Sequence, residues 1–123
     1  MYNETVLDHF EHPRNVGEVE HEAAKGEVTS KSCGDTTIIS VDIEDNVIKD
    51  IKFKTFGCAA AIASSSILTE MAKGKTLEEA ETITTDQIVS ELGGLPEYKI
   101  HCSVLAADAL KEAIKNYRES HQG

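Results

Sequence analysis

Three cysteines, Cys33, Cys58 and Cys102, supply the softest donor atoms in this chain of 123 residues. Each stands beside a glycine or a histidine: Cys33-Gly34-Asp35, Gly57-Cys58 and His101-Cys102. Glycine lets a backbone or a ligand approach closely. Asp35 adds a carboxylate and His101 an imidazole to the same inventory of donors. A lone cysteine is as often a small buried hydrophobe, but that reading weakens for three in this company. Three thiolates with one oxygen or nitrogen suit zinc or a small iron–sulfur cluster. There is no C-x-x-C pair, so spacing alone does not choose between them. A cysteine enzyme is the competing idea. However, successive side chains on a helix diverge by about 100°, so His101 and Cys102 make a poor nucleophile–base pair. His9, His12, His21 and His121 read as surface or packing histidines.

The elements that must position these residues follow from periodicity. Residues 3–10 predict a short helix with Val6, Leu7 and Phe10 on one face, stopped at His12-Pro13. Residues 14–25 lack strong periodicity and read as a loop. Ile39, Val41 and Ile43 alternate with Ser40 and Asp42, as in a half-buried strand. Ile51 and Phe53 repeat that alternation after an Asp45-Asn46 turn. Gly26–Ser30 is a weaker third strand. After Gly57 the period becomes helical, with Ala60, Ser64, Ile67, Leu68 and Met71 on one face and Gly74 as the stop. Thr76 to Glu79 reads as a capping box. Thr85 or Asp86 opens a further helix ended by Gly93-Gly94. A last helix runs from about Ser103 to Tyr117, with Ala106, Leu110, Ala113, Ile114 and Tyr117 as its buried stripe. Cys33, Cys58 and Cys102 each fall at a boundary between elements. The order of elements predicts a single α+β domain, residues 1–123, with a three-stranded antiparallel sheet and helices packed on one face.

Composition narrows the partners. Twelve basic residues against 22 acidic ones give a formal charge of -10, which repels phosphate backbones and anionic membranes. Nucleic acid and membrane are therefore not expected partners. The hydrophobic fraction is 40% and the charged fraction 28%, the balance of a soluble globular chain. An odd cysteine count and no basic-then-apolar leader predict a reducing, cytoplasmic setting.

The segment Asp8-His9-Phe10-Glu11-His12-Pro13-Arg14-Asn15-Val16-Gly17 resembles the N-terminal signature of IscU-type iron–sulfur cluster scaffolds, the group related to the NifU N-terminal domain. Cys33-Gly34-Asp35 resembles their first ligand motif. Lys54-Thr55-Phe56-Gly57-Cys58 with Ala61-Ile62-Ala63-Ser64-Ser65-Ser66 resembles the second, and Lys99-Ile100-His101-Cys102-Ser103 the third. The motifs occur in the family's order over nearly the whole chain. His101 before the last cysteine, and the lack of an insertion after Lys73-Gly74, resemble IscU rather than SufU relatives.

The resemblance implies a non-enzymatic scaffold that accepts sulfur from a cysteine desulfurase, builds a labile 2Fe–2S cluster and passes it to apo-proteins. It implies Cys33, Cys58 and Cys102 as thiolate ligands and Asp35 as a weak oxygen ligand. His101 would be an alternative ligand and Cys102 the persulfide acceptor. A ferredoxin-type donor would supply electrons, and a homodimer is open to such a scaffold. The alternative is a zinc-bound sulfur acceptor that stimulates a desulfurase without building a cluster. One departure stands out. The family's Leu-Pro-Pro-Val-Lys chaperone segment reads Leu95-Pro96-Glu97-Tyr98-Lys99 here, which places chaperone-assisted release in doubt.

Overall fold

The alternating stretch from Thr36 to Phe56 folds as a hairpin because its turn can be made in two residues. In the computed structural model β2 (Thr36–Glu44) and β3 (Val47–Phe56) pair antiparallel. Asp45 and Asn46 both take positive φ, 54° and 65°, the geometry whose twist matches that of the flanking strands. A register shift near Asp42 leaves Lys49 as the extra residue of a bulge. β1 (Ala24–Thr29) adds on the other side of β2, giving the sheet order β1-β2-β3. Residues 3–30, 34–95 and 100–120 are described, without the side chains of His101 and Cys102. The expected segment 96–99 and Cys33 therefore lie outside the description.

Among the described residues five helices follow the expected order: α1 (Glu4–Glu11), α2 (Ala59–Ala72), α3 (Leu77–Glu81), α4 (Thr85–Glu91) and α5 (His101–Ser120). Asn3 caps α1 by accepting from Val6 N. Thr76 and Glu79 form the expected capping box at α3. α4 opens at Thr85 as expected, behind a second capping box in which Thr84 and Gln87 satisfy each other's backbone N–H groups. α5 starts two residues before Ser103, so His101 and Cys102 belong to its first turn. α2 and α5 pack on one face of the sheet, over Ile39, Val41, Ile51 and Phe53, which are buried.

Three details differ from the periodic pattern. In α1, Val6 and His9 are buried while Leu7 and Phe10 are largely exposed. In α2 burial extends around the helix to Ala61, Ala63, Ser65, Ser66 and Thr69, whereas Ile67 and Met71 are only partly covered. The helix is enclosed by α1, β3 and α5, so small residues replace a polar face. Ser40, expected to point at solvent, is buried because the 15–23 segment crosses the sheet's second face and Val19 N–H donates to its hydroxyl at 3.2 Å. The same segment pairs with β3, Gly17 N donating to Phe53 O and Phe53 N to Asn15 O at 2.9 Å.

α1 is anchored to α2 by a polar network. Arg14 N donates to Ser66 Oγ at 3.0 Å, and Ser66 Oγ lies 2.7 Å from His9 Nδ1. The same hydroxyl thus bridges the Arg14 backbone and the His9 ring, whose Nε2 stands 3.6 Å from Glu70. Burial, aided by the Arg14 charge and opposed by Glu70, pushes the His9 pKa below its ordinary 6.5. The unfolded chain therefore takes up a proton near pH 6.5 that the folded chain resists. This contribution to stability is complete above that pH and declines as pH falls through it. Denaturation midpoints followed from about pH 8 to about pH 5 should fall more steeply for the wild type than for His9→Gln. Parallel pH profiles would remove His9 as the cause.

Candidate functional site

At the Thr36–Phe56 end of the sheet two of the expected donors, Asp35 and Cys58, flank the strand ends. Thr29 pairs with Thr36, and Thr36 with Phe56. The β1–β2 connection is closed by Ser30 N donating to Asp35 O at 2.8 Å and Gly34 N to Ser30 O at 2.9 Å. Cys33 belongs to that connection and is covalently tied to Gly34. Asp35 immediately precedes β2 and Gly57 immediately follows β3, so the two continue the ladder as neighbours across the rim. They are in close approach: a Cβ built on Gly57 would lie 2.6 Å from Asp35 Cγ and 2.8 Å from Oδ2. Asp35 is only 9% exposed.

Cys58 is the N-cap residue of α2, extended at φ -76° and ψ 171°, and its side chain makes no capping hydrogen bond. The sulfur is thereby left to point elsewhere, and it is half-buried. It packs against Ala60 and Ala61, and Leu95, in the connection from α4 to α5, packs against the same two alanines.

The start of α5 is placed by its seat on β1. Gly26 packs under the backbone of Ala109 and Ala113, so closely that a Cβ there would strike Ala109 O and Ala113 N. Asn116 Nδ2 donates to Lys25 O at 2.8 Å. Later helix residues thus meet earlier strand residues, and α5 runs antiparallel to β1. From Ala113 back to His101 the helix rises about 18 Å. From Gly26 forward to Ser30 the strand advances about 13 Å. The N-terminal end of α5 is thereby directed toward the end of the sheet where Thr29 pairs with Thr36.

Below the rim a line of hydroxyls ties the elements together. Thr37 Oγ1 lies 3.2 Å from Thr55 Oγ1, which lies 2.8 Å from Ser65 Oγ. Ser65 donates to Ala61 O at 2.9 Å and Ser64 to Ala60 O at 2.6 Å, both in the first turn after Cys58. β2, β3 and the Cys58 end of α2 are therefore held as one unit. Periodicity assigned Ser64 to a helix face but gave Ser65 and Thr55 no role. The visible signal was three consecutive serines inside a helix, where serine is a poor former. Among the described residues, Asp35 and Cys58 are the expected site members whose side chains are seen, and no three His, Cys, Asp or Glu side chains there could hold an ion together.

The model of the NifU-like N terminal domain matches residues 1–122. The chain belongs to that family. It is 58% identical over 117 residues to an Archaeoglobus fulgidus protein called iron–sulfur cluster assembly scaffold protein IscU 1, covering 95% of this chain and 76% of the relative. It is 50% identical over 121 residues to the Azotobacter vinelandii iron–sulfur cluster assembly scaffold protein IscU, covering 95% and 94%. Among solved structures, one described as a hypothetical protein superposes with a TM-score of 0.76 at 30% identity, covering 91% of this chain and 95% of the other. The N-terminal NifU-like protein of Brucella abortus shares the fold, with a TM-score of 0.77 at 24% identity over 95% and 94% of the two chains. The NifU-like fold is thus a three-stranded antiparallel sheet with its helices, as found here. No helix among the described residues is long and apolar enough to cross a membrane.

Because the NifU-like rim depends on the α5 seat, Gly26→Ala should destabilise the protein by about 1–3 kcal/mol, the usual range for overpacking. Urea denaturation measures it. A midpoint equal to that of the wild type would mean that α5 is not seated on Gly26.

Proposed function

We propose that this chain is an iron–sulfur cluster assembly scaffold, a carrier rather than an enzyme, whose cargo is built at the Asp35–Cys58–α5 rim. The observation that carries the reading is the carboxylate of Asp35 lying against Gly57, the residue before Cys58, at the end of the sheet closed by the β1–β2 connection. The high identity to proteins named as IscU scaffolds supports it.

In this reading Cys33, Cys58 and Cys102 hold iron through thiolate sulfur. Asp35, with His101 as the alternative, completes the set. Soft iron–thiolate bonds are strong, whereas a carboxylate is a harder and weaker partner. That mismatch suits a carrier that must let its cargo go. The Cys102 thiolate attacks the outer sulfur of a desulfurase persulfide, forming a Cys102 persulfide and releasing the desulfurase thiol. Each sulfane sulfur needs two electrons to become sulfide, and a ferredoxin-type donor is the source expected. A 2Fe–2S cluster is the first product, and apo-proteins are its acceptors. The reducing cytoplasm is the setting proposed for this chemistry.

Anaerobic purification with iron, sulfide and zinc quantified per chain tests the reading. Iron and sulfide in equal amounts, with visible absorption, support it. Zinc bound with no capacity to take up iron and sulfide would point instead to a sulfur acceptor that stimulates a desulfurase. Asp35→Ala should slow transfer of a reconstituted cluster by on the order of tenfold, as supporting groups at metal sites do. Unchanged transfer would remove Asp35 from the site. Cys102→Ser should abolish most of the persulfide trapped from a desulfurase, as mass spectrometry would read. Persulfide retained on Cys33 or Cys58 would move that role elsewhere.

A further inference from the structure

Two of the described glycines lack the backbone reason that explains the others. Gly17, Gly34, Gly74, Gly93 and Gly94 all take positive φ between 73° and 121°, a region that disfavours other residues. Gly26 and Gly57 do not. Gly26 is explained by the α5 backbone above it. At Gly57 the three nearest atoms to a built Cβ all belong to one side chain: Asp35 Cγ at 2.6 Å, Oδ2 at 2.8 Å and Cβ at 3.0 Å. Among the described residues, a methyl group at position 57 would therefore meet the Asp35 side chain first.

We propose that Gly57 is a positioning residue whose missing side chain forms the seat of the Asp35 carboxylate at the cluster site. This inference rests on the reading of Asp35 as a weak ligand. The physical logic separates fold from site. A clash with backbone, as at Gly26, forces whole elements apart. A clash with the end of a short side chain is relieved by turning that side chain to another rotamer. An alanine at position 57 thus disturbs the fold little but swings the carboxylate out of its buried place. Asp35 then remains in the sequence and is lost to the site. The neighbouring Cys58 keeps its position, because the Thr55–Ser65–Ala61 hydroxyl line that fixes its helix does not involve Gly57.

The test compares the wild type with Gly57→Ala, Asp35→Gly and the double variant, each reconstituted anaerobically with iron and sulfide. Transfer of the cluster to an apo-ferredoxin is timed. Both single variants should slow transfer on the order of tenfold, and the double variant should be no slower than Asp35→Gly. Transfer at the wild-type rate by Gly57→Ala while Asp35→Gly is slowed overturns the proposal. So does a double variant slowed by the product of the two single effects, because Gly57 would then act independently of Asp35. The carboxyl 13C resonance of Asp35 in the apo-protein gives a readout that needs no cluster. A displaced resonance in Gly57→Ala supports the seat, and an unmoved one overturns it. If Asp35→Gly transfers normally while that resonance moves, the seat stands and the ligand role of Asp35 falls. Should Gly57→Ala fail to fold, recovery of folding in the double variant supports the Asp35 clash, and failure to recover overturns it.

Discussion

The close approach of α5 to Gly26 is the contact on which the arrangement depends. A helix lying on a sheet through ordinary side chains can slide along its axis by a fraction of a turn. Here the helix backbone touches the strand backbone at Ala109 and Ala113, and Asn116 adds a hydrogen bond to Lys25. Those contacts fix the axial position of α5. The position in turn decides whether its first turn stops at the rim, short of it, or beyond it. Gly26, far from α5 in sequence, thus governs where the first turn of that helix lies along the sheet.

Much of the fold was legible because local rules and tertiary packing agree. The Asp45-Asn46 turn, the alternation of Ile39, Val41, Ile51 and Phe53, and the Thr76–Glu79 box all satisfy their own backbone demands. Where the reading slipped, packing from a distant segment had the final word. Leu7 and Phe10 follow helical spacing yet stay exposed, since α1 docks on α2 through Val6 and His9. α2 has no distinct polar face because three neighbours surround it, and its serines turn their hydroxyls to local carbonyls or to His9 and Thr55. A window of a few residues cannot disclose such partners.

The site divides along the same line. Cysteine, aspartate and histidine announce themselves by their chemistry, and their motifs carried the family resemblance. Glycine announces nothing. Gly26 and Gly57 matter for what is absent at them, and that is visible only when the opposing atoms are in place. The hydroxyl line from Thr37 to Ala61 is similar, since threonine and serine on a strand and a helix read as ordinary surface residues until their distances are known.

The N-terminal segment that crosses to β3 also bears on how the chain behaves in a crowded solution. A three-stranded sheet has two borders with unpaired amides, each a template for recruiting another chain. On the β3 border, residues 15–17 already occupy those groups through Phe53. On the β1 border the strand is six residues long, with Lys25 and Glu27 exposed along it. Short length and charge discourage fibrillar stacking. The sheet is thereby guarded along both sides against self-association.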